Sequence, residues 1–116
     1  MASPKLKPIV PPLNPDMMQA NARDATALLK ALAHESRLVI LCLLAEGEKS
    51  VSELEGLLSQ RQATVSQQLA RLRLDGLVAT RREGQMIYYS LATDNVRVIL
   101  AALYDIFCQP KRALRR

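Results

Sequence analysis

Apolar residues recur along the first third of the chain at Met18, Ala22, Ala25, Leu29 and Leu32, spaced alternately by four and three. That period predicts an amphipathic helix opening at Asp16, with Leu28 widening its stripe. His34-Glu35-Ser36 interrupts the pattern and starts a second helix, in which Leu38 to Ala45 is an unbroken apolar run. On a helix such a run is expected to be buried nearly all round. Glu46-Gly47-Glu48-Lys49 is a turn, and Ser50-Val51-Ser52-Glu53 reads as a capping box, Ser50 capping and Glu53 reaching back. The short third helix it opens carries Leu54, Leu57 and Leu58 and ends near Ser59. A fourth follows within a few residues, and two short helices joined this tightly form a helix-turn-helix.

The fourth helix, Gln62–Asp75, has two faces. Val65, Leu69 and Leu72 form an apolar one, while Thr64, Gln67, Gln68 and Arg71 form a polar one without a carboxylate. Amides, hydroxyls and guanidinium groups match base edges and phosphates in a DNA major groove. Gly76 suits a left-handed helix cap. From Val78 the period changes to that of strands: Val78–Arg82 and Gln85–Leu91 flank the turn signal Glu83-Gly84, giving a β-hairpin with arginines near its tip. Asp94-Asn95 marks a helix start, and Val96, Ile99, Leu100, Leu103, Ile106 and Phe107 give the last helix a wide apolar stripe. The predicted fold is mainly α with a β-hairpin wing, a winged helix-turn-helix in the order α-α-α-α-β-β-α. Its boundaries are a disordered proline-rich arm over 1–15, the folded domain over 16–109 and a basic tail over 110–116.

Composition and charge sharpen this picture. The 116 residues include no Trp and only four other aromatics (Phe107, Tyr88, Tyr89 and Tyr104), so the core must be Leu, Val, Ile and Ala, which favours packed helices. The net charge is +5, unevenly placed. Arg61, Arg71, Arg73, Arg81 and Arg82 face Asp75 alone over residues 61–82, whereas acids outnumber bases over 16–60. The positive field thus concentrates where a polyanion would bind. No targeting segment and no run approaching the ~20 apolar residues of a membrane span is visible, so a cytoplasmic protein without membrane contact is expected. One His, no nucleophile motif and no glycine-rich phosphate loop argue against an enzyme and against a bound cofactor.

The terminal helices each offer more apolar surface than so small a domain can bury. They are expected to pair between two subunits, a homodimer whose recognition helices would sit about one DNA turn (~34 Å) apart on an inverted repeat of double-stranded operator DNA. Within the footprint, Gln67 and Gln68 are the candidates for base edges. Thr64 and Ser66 are candidates for phosphates, and Arg71 completes that face. Arg81, Arg82 and Gln85 on the wing are expected to meet the backbone or the minor groove. Arg73 points away. Arg61 and Gln62 open the helix; Arg61 cannot cap in the usual way, so a phosphate clamp is its expected role.

Ala31-Leu32-Ala33-His34-Glu35-Ser36-Arg37-Leu38, Thr64-Val65-Ser66-Gln67-Gln68-Leu69 and Asp75-Gly76-Leu77-Val78 together resemble the ArsR family of bacterial repressors, over roughly Asp16 to Gln109. The resemblance implies a dimer that binds operator DNA and releases it when a metal ion or another inducer arrives. Metal-sensing members often carry Cys-x-Cys at the start of the third helix, where this chain has Ser50-Val51-Ser52. Others use His and carboxylates on the last helix, where Asp94 and Asp105 remain but no His. The lone His34 is expected to be a cap or a surface residue, so no metal site is predicted.

Cys42 and Cys108 remain. From the residues alone, both read most simply as small buried hydrophobes. Apolar surroundings would raise the thiol pKa of Cys42, and Lys111 and Arg112 would favour the thiolate of Cys108. A cysteine on the second helix and another at the end of the last, however, resemble the sulfide-responsive branch of the family. That resemblance implies a redox switch. Reactive sulfur species would bridge Cys42 and Cys108 through a disulfide or polysulfide, DNA would be released, and sulfide-detoxification genes would be expressed. A metal-responsive repressor, or a winged-helix module for protein contact without operator binding, are the alternatives.

Overall fold

The computed structural model describes residues 6–59 and 62–108, the side chain of Gln62 excepted. The described residues form two compact units, one ending at Lys30 and one beginning at Ala31. The first consists of an irregular stretch over 6–14 and most of helix α1 (Pro15–Leu32). Helix α1 starts one residue before the expected Asp16 because Asn14 caps it: its Oδ1 accepts from the backbone N–H groups of Asp16 and Met17 at 2.8 and 3.3 Å. Met17, Met18 and Leu29 lie exposed on this helix.

The second unit contains α2 (Glu35–Ala45), β1 (Lys49–Ser50), α3 (Val51–Leu58), α4 (Gln62–Leu74), β2 (Val78–Glu83), β3 (Met86–Leu91) and α5 (Asp94–Phe107). Its core is aliphatic, as the composition required. Ile40, Leu41 and Leu44 of α2 meet Leu54, the Val65–Leu69–Leu72 stripe of α4, Leu77, Val78, and Val96 and Leu100 of α5, all buried. Each such side chain contributes about 1.5–3 kcal/mol on leaving water. Helix α2 packs against α4, β3 and α5.

The capping box forms as expected. Ser50 Oγ accepts from the Glu53 N–H at 3.1 Å, while Glu53 Oε1 accepts from the Ser50 N–H at 2.9 Å. The same Ser50 also belongs to a strand that sequence reasoning missed. β1 pairs with β3, Ser50 opposite Tyr88, so the hairpin is widened to a three-stranded antiparallel sheet of order β1-β3-β2. The hairpin register runs from Val78↔Leu91 to Glu83↔Met86, which shifts the turn one residue along, to Gly84 and Gln85. Helix α5 is capped by Thr93, one residue before the expected Asp94-Asn95 signal, through a long 3.5 Å bond from the Val96 N–H to the hydroxyl.

Candidate nucleic-acid interface and thiol groove

The end of α4 is built as the glycine predicted. Gly76 has φ +78°, its N–H donates to the Arg73 carbonyl at 3.0 Å, and the Leu77 N–H donates to the Leu72 carbonyl at 2.9 Å. This pair of bonds is a Schellman cap, and it turns the chain directly into β2. Helix and wing are therefore joined by only three residues, Asp75–Leu77.

Along α4 the apolar face is wholly buried, and Thr64, Ser66, Gln67 and Arg71 are exposed. Ala63 and Ala70 share the solvent face with Gln67. The sequence pattern does not single out these small residues, yet they let a flat surface approach the helix closely. Gln68 departs from the polar face to which its spacing assigns it. It is half-buried, and its Nε2 donates to Ser36 Oγ of α2 at 2.9 Å. Arg71 Nε lies 3.5 Å from Asp75 Oδ2, which also lies 3.6 Å from Arg37 Nη1. Arg37 and Asp75 belong to two of the three family-like motifs, 38 residues apart, and no pattern in the sequence announces their pairing. Arg61 and the side chain of Gln62 lie outside the described residues.

On the wing, Arg82 and Gln85 are exposed. Arg81 is exposed too, but its charge is engaged: it bonds to both carboxylate oxygens of Glu48 and to Glu83, and its guanidinium lies 4.8 Å from the centre of the Tyr88 ring. The Arg81 hydrogen bond holds the Glu48 carboxyl below its ordinary pKa, and in return pushes the Arg81 guanidinium further up.

Cys42 and Cys108 are free thiols, and both are exposed. The expectation that Cys42 sits inside an all-round buried helix is corrected here. The run Leu38–Ala45 buries Ile40, Leu41 and Leu44 on one side, while Leu38, Val39, Cys42 and Ala45 turn the other side toward an open groove. That groove, about 1030 Å³, is bounded across from α2 by Arg97, Leu100, Tyr104 and Cys108 of the α5 segment. Both cysteines thus line one cavity. Partial burial pushes the Cys42 thiol above its ordinary pKa, and the neighbouring charge of Cys108 adds to the shift. Lys111 and Arg112, invoked for Cys108, lie outside the described residues. His34 is exposed and precedes α2 without a side-chain capping bond. Among the described residues no group of three or more His, Cys, Asp or Glu side chains could hold a metal ion, and no helix is long and apolar enough to cross a membrane.

Residues 34–80 match the family described as bacterial regulatory protein, arsR family. The chain is 50% identical over 97 residues to the biofilm growth-associated repressor of Agrobacterium fabrum, covering 84% of this chain and 83% of that one. It is 45% identical over 98 residues to the transcriptional activator HlyU of Vibrio cholerae, covering 84% and 91%. A structure of reduced HlyU from that organism superimposes with a TM-score of 0.77 over 81% of this chain and 99% of that one. The homodimeric winged helix-turn-helix domain of a possible ArsR-family regulator of Mycobacterium bovis, 36% identical, matches with a TM-score of 0.67 over 77% and 83%.

Proposed function

Because this chain belongs to the ArsR family of bacterial regulatory proteins, and is therefore a DNA-binding transcriptional regulator rather than an enzyme, we propose that it is a thiol-controlled repressor. As a reduced homodimer it binds an inverted-repeat operator. It releases that DNA when reactive sulfur species bridge Cys42 and Cys108, and genes for sulfide detoxification are then expressed. The observation that carries this reading is the groove between α2 and α5 that both thiols line. A structure of a relative, HlyU, named as reduced, supports thiol chemistry in this branch.

The bridging chemistry balances with an organic persulfide as oxidant. One protein thiolate attacks the outer sulfur, expels the organic thiolate and becomes a persulfide. The second thiolate attacks the inner sulfur of that persulfide, and hydrosulfide leaves with the electron pair of the broken S–S bond. A disulfide then joins the two chain segments and requires Cα atoms ~4.4–6.8 Å apart; a longer polysulfide relaxes that limit. Tying α2 to α5 links the helix on which α4 rests to a helix that presents Val98, Tyr104, Ile106 and Phe107 to solvent. These side chains, and separately the exposed apolar side chains of α1, are offered to a second subunit; that a relative is a homodimeric winged helix-turn-helix domain supports such pairing. A rotation between subunits misaligns two recognition helices at once. Hundredfold weaker operator binding needs only ~2.7 kcal/mol of coupling.

In the bound state Thr64, Ser66, Gln67 and Arg71 face the groove of the DNA, with Arg61 and Gln62 at the helix start and Arg82 and Gln85 on the wing. The Vibrio cholerae relative is named an activator; where the operator lies relative to the promoter decides the sign of the same binding event. Gel shifts with promoter DNA test the reading. Wild-type protein should leave DNA on persulfide treatment, whereas Cys42→Ser and Cys108→Ser proteins should stay bound. A serine variant that dissociates as readily as wild type would defeat it.

A further inference from the structure

Helix α2 holds the recognition helix at two points. Ser36 Oγ accepts the 2.9 Å bond from Gln68 Nε2 near the middle of α4. The next residue, Arg37, lies 3.6 Å from Asp75 Oδ2 just past the end of α4, with side chains only 14% and 25% exposed. Arg37 is itself steadied by donating to the Ala31 carbonyl at 3.3 Å. From Gln68 to Asp75 the helix advances about 10 Å, so the two attachments fix its tilt as well as its position. A single attachment would leave rotation about that point free.

The helical wheel agrees. At about 100° per residue, Gln68 stands roughly 70° from the centre of the Val65–Leu69–Leu72 stripe, whereas Gln67 stands roughly 170° from it. One glutamine therefore looks out to solvent, and its neighbour looks sideways at α2.

We propose that Ser36 and Arg37 are positioning residues that seat the recognition helix on α2, and that Gln68 is the anchor of that helix rather than a reader of bases. This rests on the reading that α4 enters DNA. It also gives α2 a second role, because the helix that carries Cys42 carries the seat of the DNA-reading element six residues earlier.

The test uses reduced, full-length protein and duplexes selected by the wild type from a randomised pool. Ser36→Ala, Gln68→Ala and the double variant are compared for affinity, for salt dependence and for base preference in a repeated selection. Each single change should weaken binding about fivefold through loss of one hydrogen bond, and the double no further than either single, since both remove the same bond. Base preference and salt slope should stay as in the wild type. Arg37→Gln, which gives up the ion pair with Asp75 while leaving Asp75 to Arg71, should likewise weaken binding and leave preference unchanged. Relaxed preference at one base pair per half-site in Gln68→Ala, or a double variant weakened by the product of the two singles, would overturn the anchor while leaving DNA reading by α4 intact. If the wild type enriches no duplex at all, the DNA-reading premise fails, and the anchor falls with it.

Discussion

The pKa of Cys42 is raised by two influences that can be separated by substitution. Desolvation is the larger, and the charge of Cys108 the smaller; both raise its pKa. A raised pKa leaves less thiolate at a given pH, so alkylation of Cys42 should reach half its limiting rate at a higher pH than an ordinary cysteine does. Cys108→Ser removes only the smaller influence. The midpoint of Cys42 alkylation should then move down yet stay above the ordinary value, as a pH series of alkylation rates would show. A midpoint that stays put or rises contradicts the shared groove. The two wing arginines divide in the same way. Replacing a phosphate-binding Arg82 with Ala should reduce the magnitude of the salt slope of binding by about 0.9. Arg81→Ala should reduce it less, because Glu48 and Glu83 already occupy that charge. Adjacent arginines look alike in the sequence because Glu48, from a turn 33 residues away, selects between them only after the sheet forms.

At the scale of elements, periodic segments are readable from sequence and short or two-sided ones are not. Helices α1, α4 and α5 and the hairpin follow from spacing alone, since a face kept from water must repeat with the period of its backbone. On α1, however, only Leu32 of the stripe is buried in the single chain. Strand β1 has two residues and exists only because Tyr88 and Tyr89 stand opposite it, so nothing local marks it. The apolar run of α2 misleads in another manner: hydrophobicity says that a face avoids water, not which surface covers it, and half the run lines the groove with Cys42. Gly76 is readable because its left-handed backbone suits few other residues. Gly76→Ala should destabilise the protein by ~1 kcal/mol, visible as a lower Tm by circular dichroism, even though a methyl group there would meet nothing within 4 Å. Leu69→Ala, in the fully buried stripe of α4, should cost more, about 2–5 kcal/mol. If Leu69→Ala were the milder of the two, the packing of α4 against the core would be misassigned.

For the molecule as a whole, the proposed mechanism makes recognition depend on two copies of α4 at one spacing and control depend on changing that spacing. Ile106 and Phe107, 54% and 61% exposed in the single chain, belong to the surface that pairing would cover. Ile106→Glu with Phe107→Asp should turn the dimer into a monomer in sedimentation, with operator affinity lost along with it. The choice of Cys42 and Cys108 as candidates is open to sequence reasoning because cysteines are few and Ser50 and Ser52 offer hydroxyls, which are poor ligands for soft metals. That both cysteines line one groove is not, since it depends on how α5 crosses α2. The most direct measurement follows from that shared groove. The reduced protein is treated with an organic persulfide, and its intact mass and its DNA binding are recorded on the same sample. An intramolecular bridge between Cys42 and Cys108, with a mass loss of two hydrogens either alone or together with a gain of whole sulfur atoms, should appear in step with loss of DNA binding. Full release of DNA by protein whose two thiols remain free and unlinked would contradict the account.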